Sequence, residues 1–559
     1  MGGIAMFFAL TLAVAGTRVL IGMTEGGLSS NTKVTMNADG TKDVKAAPPP
    51  QPAPPPPPPT REHWAVVVAG SRRYWNYRHQ SDVCHAYQLL KARGFDDDHV
   101  ITMVYDDIAN NYWQSREFYG KIFNRPGGPD VYKGCAKDYT GTDVSAENFY
   151  KVLSGDKKGM EGVGSGRVVE STENDDIFFF FSDHGSVGLV GMPAGSYIWA
   201  DEFNKVVEKM AKDKKFYEMV IYMESCEAGS MFEGLLKKDI GVYALSAANA
   251  TESSWATYCS DSDLSITPRP SQIGTCMGDL FSTKWMEDSE HFNPLNETLH
   301  EQFIKVARET GREANHGYGS AVLQYGEIKI DNETVANFMV DEDPEKVKAE
   351  FEGDPLTDHE FLSKFNHKIE RDDPLVRFAN YLPGTNQHVD QRDADMVFFM
   401  QRASTTNDLE EQDVMLSELR NSLVARRKVD MDIRAVVGGL LQMRNSEKHP
   451  LPNHMGAAVE RMVSHHMGRP GSGKPAVDDF DCLRGMMSHW EEQCGRVTDY
   501  SMKYSRTFAN LCNEGISVED FAASVANVCG GRGGRVEKEA EDYLQTHQSH
   551  EPSQRIVVS

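Results

Sequence analysis

The chain has 559 residues, too many for one hydrophobic core, so we expect two or more folded units. Its formal net charge of −25 excludes nucleic acid as the principal partner, because phosphate backbones are bound by basic protein faces. We otherwise interpret the acidic composition as a feature that keeps the protein soluble.

The amino terminus is a short apolar run that ends in Ala13-x-Ala15, which predicts a secretory signal peptide over residues 1–23. A signal anchor extended past Arg18 is the alternative, but the run is shorter than the ~20 residues of a spanning helix. No other segment has the length and apolarity to span a bilayer, so we expect no stable membrane anchor. In the secretory pathway, three sequons become predicted glycosylation sites, at Asn249, Asn296 and Asn332.

Residues 24–60 are polar and then proline-rich, which predicts an extended spacer outside any core, with an SH3-type ligand as the alternative. From His63 onward, short apolar runs alternate with amphipathic segments. The predicted strands are 64–69, 100–105, 176–182, 217–224, 242–248 and 321–325, and the predicted helices between them include 81–93 and 201–214. This alternation is typical of an α/β fold with a mostly parallel sheet covered on both faces.

Two of these runs end directly at reactive side chains, one at His184 and the other at Cys226. Nearly continuous apolar runs of this length suit strands buried on both faces. Side chains just beyond the carboxyl ends of such strands project into the crevice where ligands bind. If the strands are neighbours, a thiol and an imidazole meet there as a nucleophile and its general base. The pattern therefore indicates a cysteine hydrolase.

Residues 331–407 are acidic and lack a regular period, so we expect a mostly exposed connection. Helical patterns follow at 408–411, 417–427, 433–444 and 457–466. Four clustered cysteines, Cys482, Cys494, Cys512 and Cys529, predict a bundle with two disulfides, and three pairings remain open. The count of nine cysteines leaves one thiol free, for which Cys226 is the candidate. No zinc-type Cys-x-x-Cys pair occurs, so we expect neither metal nor cofactor.

The sequence resembles the legumain family of asparaginyl endopeptidases in motifs that lie in family order. The matching blocks are Ala69-Gly-Ser with Asn76-Tyr-Arg-His-Gln80, Val104-Tyr-Asp-Asp-Ile, Lys137-Asp-Tyr-Thr-Gly, Ser182-Asp-His-Gly-Ser, Glu224-Ser-Cys-Glu-Ala-Gly-Ser, Ala247-Ala-Asn with Glu252-Ser-Ser, and Gly278-Asp279 with Trp285-Met-Glu-Asp-Ser. Further on, Val389-Asp-Gln-Arg-Asp-Ala-Asp and Thr406-Asn-Asp-Leu-Glu-Glu resemble the family's linker. The resemblance thus extends into a carboxy-terminal prodomain.

The resemblance implies a caspase-like catalytic domain over residues 61–340, a linker or activation peptide over 341–407, and a separate, helical, disulfide-stapled prodomain over 408–559. Cys226 would be the nucleophile and His184 the base, with Asn76 orienting the imidazole. The backbone N–H groups of Gly185 and Cys226 would bind the oxyanion. The family pattern also implies disulfides Cys259–Cys276, Cys482–Cys512 and Cys494–Cys529.

A carboxamide offers one acceptor oxygen and one donor NH₂, so a pocket that reads it needs a cation and a carboxylate. The family pattern places Arg78, His79, Glu224, Ser254 and Asp279 around that pocket. We therefore expect peptide and protein substrates with exposed asparagine, and cleavage after aspartate only at lower pH, where its side chain is protonated.

The resemblance further implies a zymogen that cuts itself at Asn407-Asp408 after acidification, in a lysosome or vacuole or after secretion. Its partners would be its own prodomain, as an intramolecular inhibitor, and cystatin-type inhibitors. Three rivals remain open. One is a peptide ligase of the same fold. In the family, the residue at the position of Ala256 helps to set the balance between ligation and hydrolysis, and the small alanine leaves that balance undecided. Another is a binding protein that is catalytically idle, and the third is the catalytic subunit of the lipid-anchor transamidase, which normally carries a carboxy-terminal membrane helix.

Overall fold

A computed structural model describes residues 61–351 apart from 115 and 316, and residues 387–446, 455–464 and 473–530. It also gives four short strands nearer the amino terminus, which pair as two antiparallel hairpins: Ala13–Val14 with Thr17–Arg18, and Thr32–Met36 with Lys42–Ala46. Apart from these strands, the predicted signal peptide (1–23) and proline-rich spacer (24–60) lie outside the described residues. Residues 352–386 of the predicted linker also lie outside them.

The central sheet has six strands in the order β6-β5-β4-β3-β1-β2. These strands are β1 (His63–Ala69), β2 (Val100–Met103), β3 (Asp176–Ser182), β4 (Glu218–Glu224), β5 (Val242–Ser246) and β6 (Leu323–Gly326). All neighbours are parallel except β6, which pairs antiparallel with β5. The predicted mostly parallel α/β sheet is therefore confirmed.

Helices cover both faces of the sheet, because successive side chains of each buried strand point to opposite faces. In β3, Phe178 and Phe180 pack against Trp285, with ring centroids 5.7 and 5.1 Å apart. Phe179 packs on the other face against Phe203, at 5.9 Å. The helices from this part of the chain are α1 (Tyr77–Ala92), α2 (Ala146–Ser154), α3 (Ala200–Lys212), α4 (Pro270–Ile273), α5 (Leu280–His291), α6 (Leu299–Thr310), α7 (Ala336–Met339) and α8 (Pro344–Glu350).

Two small three-stranded sheets lie beside the carboxyl ends of the central strands. One joins Gly185–Ser186, Leu189–Val190 and Ile198–Trp199. The other joins Gly278–Asp279, Trp255–Thr257 and His388–Asp390, with Trp255–Thr257 in the middle. The second sheet therefore takes its outer strand from the predicted linker.

The carboxy-terminal region is helical, as predicted. Its helices are α9 (Ala394–Thr405), α10 (Leu409–Ser446), α11 (Met455–Ser464), α12 (Phe480–Cys494), α13 (Ser505–Asn513) and α14 (Val518–Cys529). The predicted disulfides Cys482–Cys512 and Cys494–Cys529 join α12 to α13 and α14, and Cys259–Cys276 also forms. A further disulfide, Cys84–Cys135, was not predicted.

Some predicted boundaries are wrong. Helix α1 begins at Tyr77 rather than at residue 81, and three separate helical patterns after residue 408 form the single helix α10. The adjacent glycines Gly438 and Gly439 do not break this helix. A Cβ at Gly439 would lie only 2.9 Å from Ser524 Oγ, so the small residue allows close packing against α14. In the part of the chain that the structure describes, no helix is long and apolar enough to span a membrane.

The expectation of an exposed connection over residues 331–407 is wrong for both ends that the structure describes, since Val335, Phe338 and Met339 are buried in the core. His388–Asp390 pairs with Trp255–Thr257, and α9 packs against the first part of the catalytic region. Gln391 is fully buried and Arg392 nearly so. The acidic composition concealed this packing, because Asp393 and Asp395 both bind Arg426 of α10 instead of solvent.

Candidate active site

The residues before His184 and Cys226 lie next to each other in the sheet. Strands β3 and β4 are parallel neighbours, and Ser182 is opposite Glu224 in their register. His184 therefore lies two residues after Ser182, and Cys226 lies two residues after Glu224. A Cβ at Gly185 would lie 2.7 Å from the carbonyl oxygen of Cys226, so the two chain segments touch where only glycine fits. The predicted meeting of the two segments at one sheet edge is therefore present.

The imidazole of His184 is buried and held by Asn76. His184 Nε2 lies 2.8 Å from Asn76 Oδ1. The Asn76 NH₂ group donates to the carbonyl oxygen of Arg72 at 3.0 Å and to Asp499 Oδ2 at 3.1 Å, which assigns the carboxamide oxygen to the imidazole side. Nε2 therefore carries the hydrogen, and Nδ1, which has no hydrogen-bond partner among the described residues, is left as the proton acceptor.

Cys226 is the free cysteine among the described residues, and its side chain is buried. Its Sγ lies 4.0 Å from Ser254 Oγ and 3.9 Å from Gln391 Oε1. Burial raises the pKa of the Cys226 thiol to about 12 and lowers the pKa of His184 to about 3. The covered site therefore holds a neutral thiol and a neutral imidazole, and not the reactive ion pair.

The predicted pocket residues converge beside the thiol. Arg78 Nε donates to Asp279 Oδ1 at 2.9 Å, and both side chains are fully buried. His79 lies between two carboxylates, with Nδ1 3.3 Å from Asp183 Oδ1 and Nε2 3.4 Å from Asp279 Oδ2. Burial, reinforced by the nearby Arg78 charge, lowers the pKa of His79. Asp279 is thus the shared acceptor of the pocket.

Further acids lie beneath Asp279. Glu224 Oε2 accepts from the N–H and the hydroxyl of Ser282, both at 3.1 Å. Asp82, which sequence analysis did not single out, accepts from Asn124 Nδ2 at 2.7 Å and from the Asp279 N–H at 3.3 Å. Burial and the neighbouring Asp279 charge raise the pKa of both Asp82 and Glu224. No charge pattern marks Asp82 in the sequence, because it lies one turn after Arg78 on α1 and acts only through the fold.

Gln391 of the linker occupies the pocket, which sequence analysis also missed. Its Nε2 donates to Asp279 Oδ1 at 3.2 Å, and its backbone N–H donates to the Ser254 carbonyl at 3.2 Å. Arg78 Nη2 approaches its backbone oxygen at 3.4 Å. The signal in the sequence was the linker motif at residues 389–395. The acidic composition of the segment around it predicted an exposed connection instead.

Arg392 and two carboxy-terminal side chains complete the cover. Arg392 Nη2 donates to the Gly185 carbonyl at 2.9 Å and to Glu227 Oε2 at 2.6 Å. Arg506 from α13 binds the other oxygen of Glu227. Asp499 Oδ2 lies 3.6 Å from His184 Nε2. Three residues that sequence analysis did not assign therefore link the linker and the helical region to the candidate catalytic groups.

Among the described residues, His79, Asp183 and His184 form a group that could hold a metal ion, since their ligand atoms lie within 4.8 Å of one another. Two of the four ring nitrogens already form hydrogen bonds. His79 Nδ1 lies 2.6 Å from Ser71 Oγ, and His184 Nε2 is held by Asn76. We therefore assign this group to orienting the two imidazoles.

The remaining predicted sites lie at the surface or near it. Asn407 and Asp408 are exposed, in an irregular segment between α9 and α10. Asn296 and Asn332 are exposed as well. Asn249 is half-buried, and its carboxamide oxygen accepts from the Thr251 N–H at 2.8 Å and its hydroxyl at 2.9 Å. All three sequons remain predicted glycosylation sites.

Two family matches cover most of the described chain. Residues 63–341 match the Peptidase C13 family, and residues 417–529 match the legumain prodomain. A vacuolar-processing enzyme of Vicia sativa is 38% identical over 474 residues, spanning 83% of this chain and 85% of the relative. Legumain of Canavalia ensiformis is 38% identical over 472 residues, spanning 84% and 88%. The chain belongs to the Peptidase C13 family.

This peptidase is a cysteine endopeptidase, and its prodomain is an intramolecular inhibitory propeptide. Among solved structures, caspase-1 from Spodoptera frugiperda aligns with a TM-score of 0.29 and 9% identity, covering 48% of this chain and 89% of that chain.

Proposed function

We propose that the peptidase cleaves after asparagine and uses Cys226 and His184 as a catalytic dyad. The observation that carries this proposal is the carboxamide of Gln391 in the pocket. Its NH₂ group donates to Asp279, and its oxygen lies 3.9 Å from Cys226 Sγ. Asparagine presents the same carboxamide on a side chain that is shorter by one CH₂ group.

In the proposed reaction, His184 Nδ1 takes the proton of Cys226, and the thiolate attacks the backbone carbonyl carbon of the asparagine. The N–H groups of Gly185 and Cys226 stabilise the oxyanion, where one fixed donor commonly contributes ~10²–10³ in rate. The imidazolium returns the proton to the leaving amine, so a new amino terminus departs and an acyl-enzyme remains. Water then hydrolyses the thioester and regenerates the thiol. Asn76 keeps the hydrogen on Nε2 throughout.

The pocket chemistry favours asparagine over aspartate. Arg78 is already neutralised by Asp279, so an ionised aspartate would find no free cation and would face the Asp279 carboxylate. A protonated aspartate is nearly isosteric with asparagine and escapes this repulsion. We therefore expect asparagine cleavage across acidic pH and aspartate cleavage only toward its lower end. Two peptides that differ only at this residue test the proposal, and equal turnover at neutral pH would contradict it.

The same activity would mature the enzyme. Asn407 is exposed next to Asp408, so a neighbouring active molecule, or the same one, can reach this bond. The relatives named vacuolar-processing enzymes support a vacuole as the site of maturation. We expect Cys226→Ala to remain a precursor on acidification, as judged by mass spectrometry of the mature termini. A purified Cys226→Ala protein that still loses its carboxy-terminal region would rule out self-processing.

A further inference from the structure

Two adjacent arginines precede Asn76, the residue that orients His184, by four and three positions. Arg72 and Arg73 lie between the end of β1 and Asn76. Within the described part of the chain, neither guanidinium forms an ion pair within 4 Å, although acidic residues outnumber basic ones by 83 to 58. Asp107 and Asp499 lie near enough to attract Arg73 but outside that distance. Two cations that no described carboxylate contacts directly, in an acidic protein and beside its candidate catalytic groups, indicate a site for an anion.

The backbone of Arg73 is strained. Its φ of 78° and ψ of 147° lie in a region that essentially only glycine adopts without strain. The conformation is held by Asp107, whose Oδ2 accepts from the Arg73 N–H at 2.6 Å. The guanidinium carbon of Arg73 lies 5.2 Å from the centre of the Trp75 ring. Strain of this kind is commonly found where a side chain must be presented to a ligand.

These arginines line a cavity of about 360 Å³ together with aromatic side chains, Trp75, Tyr105 and Trp113. Arg72 lies over the Tyr105 ring at 5.6 Å, and its Nη1 approaches the Tyr105 hydroxyl at 3.5 Å. The acid in the lining, Asp107, already accepts from the Arg73 N–H and from Gln80 Nε2 at 2.7 Å. The cavity thus combines cations with flat apolar walls.

A carboxylate of the propeptide already lies at the rim of this cavity. Asp499 Oδ2 accepts from Asn76 Nδ2 at 3.1 Å and from Trp75 Nε1 at 3.5 Å. The linker also covers the same wall through Phe399 of α9, whose ring lies 5.8 Å from Trp75. Asp499 belongs to the prodomain, which lies beyond the proposed cut at Asn407-Asp408 and leaves after it. Its departure would free Trp75 Nε1 and Asn76 Nδ2, beside the Arg73 cation, for a substrate group.

We propose that Arg72, Arg73 and Trp75 form a subsite for an acidic side chain of the peptide substrate, in the place that Asp499 takes in the zymogen. This inference rests on the proposed function, because it assigns a second specificity to the same cleft. The enzyme would then prefer asparagine sites that have a glutamate or aspartate nearby. The carboxylate would gain charge-assisted hydrogen bonds from guanidinium and indole N–H groups.

The test uses the mature enzyme and peptides with one asparagine. Each peptide pair carries Glu or Gln at a single position, and successive pairs scan the positions on both sides of the asparagine. At one position we expect kcat/KM to be about tenfold higher for Glu than for Gln, since hydrogen bonds to charged groups contribute at this level. High salt should reduce this ratio, because the cations are partly solvent-exposed.

Arg73→Gly is the decisive variant, because glycine adopts the positive φ freely and so removes the cation together with the strain. We expect the Glu-to-Gln ratio to fall toward one in Arg73→Gly and in Arg72→Ala, and to persist in the matched surface variant Arg308→Ala. A ratio near one at every position in the wild type, or an unchanged ratio in both arginine variants, would overturn the subsite. Failure of the proposed function is distinguishable, since the wild type would then cleave none of the asparagine peptides.

Discussion

Single residues at the site are kept in their less reactive protonation states by burial. Cys226 has a pKa raised to about 12 and His184 a pKa lowered to about 3, in both cases chiefly because burial disfavours the charged form. Gln391 and Arg392 of the linker and Asp499 of the prodomain contribute to that burial. Displacing them returns water to the two candidate catalytic groups, so we expect both groups to titrate nearer to their ordinary pKa values in the mature enzyme.

The role of Asn76 can be tested by Asn76→Ala in the mature enzyme. Without the acceptor at Nε2, the imidazole loses its fixed tautomer and orientation, so we expect kcat to fall by ~10²-fold with little change in KM. The measurement is steady-state kinetics on an asparagine peptide. Asn174→Ala, in an exposed loop, is the matched control. An unchanged kcat in Asn76→Ala would show that Asn76 has only a structural role.

Elements of the fold place these residues, and their placement was predictable to different degrees. The apolar runs ending at His184 and Cys226 were recognisable, because strands buried on both faces read as continuous apolar sequence. The strand His388–Asp390 was not recognisable, since three residues within an acidic segment carry no periodic signal. Its strand character comes from pairing with Trp255–Thr257, a partner more than 130 residues away along the chain.

The linker strand can be tested through Gln391→Ala in the intact zymogen. The substitution removes the hydrogen bond to Asp279 in the pocket, and hydrogen bonds to charged groups contribute ~1.5–3 kcal/mol. We therefore expect the labelling of Cys226 by an asparagine-based electrophile to become at least about tenfold faster at neutral pH. Gln387→Ala is the matched control, because Gln387 binds the Ser260 carbonyl outside the pocket. Equal labelling rates in the two variants would show that Gln391 does not hold the site closed.

At the scale of the whole molecule, the prodomain closes on the catalytic region through an apolar core and ion pairs. Val187, Leu189 and Trp199 pack in one cluster with residues of α10, α12, α13 and α14. Arg484 of α12 binds Asp201 and Glu202 at the start of α3. The same closure buries His184 in its neutral form, so the stability of the closed state is linked to pH.

The sign of this linkage favours opening in acid. The pKa of His184 is about 3 in the closed state against an ordinary 6.5. At pH values between these two, the open state binds a proton that the closed state does not. Closure should weaken by about 2 kcal/mol for this histidine between about pH 6.5 and about pH 5. Although burial acts in the opposite direction, the Asn76 hydrogen bond and the nearby Arg73 charge lower the pKa of Asp499. Its contribution to closure is therefore lost only as the pH falls below its ordinary 3.8.

Amide hydrogen exchange of α13 and α14 in the inactive Cys226→Ala protein measures this opening without proteolysis. We expect exchange to accelerate, after correction for intrinsic rates, from neutral pH to about pH 5. In Cys226→Ala/His184→Gln the acceleration should be smaller, because the proton that His184 binds on opening no longer contributes. In Cys226→Ala/His489→Gln it should be retained, because His489 is partly exposed on α12, away from the dyad. Equal pH dependence in all three proteins would exclude His184 as the source.

The sequence by itself determined the sheet, the two strands that end at His184 and Cys226, the helical carboxy-terminal region and the family disulfides. Continuous apolar runs and spaced motifs are local properties of the chain, so they can be recognised from the sequence. Tertiary structure alone decided which side chains close the site. Gln391, Arg392 and Asp499 are polar residues in acidic surroundings, and they reach the dyad only because distant segments fold over it. Burial, and with it the neutral state of thiol and imidazole, is a property of that assembly and of no single stretch.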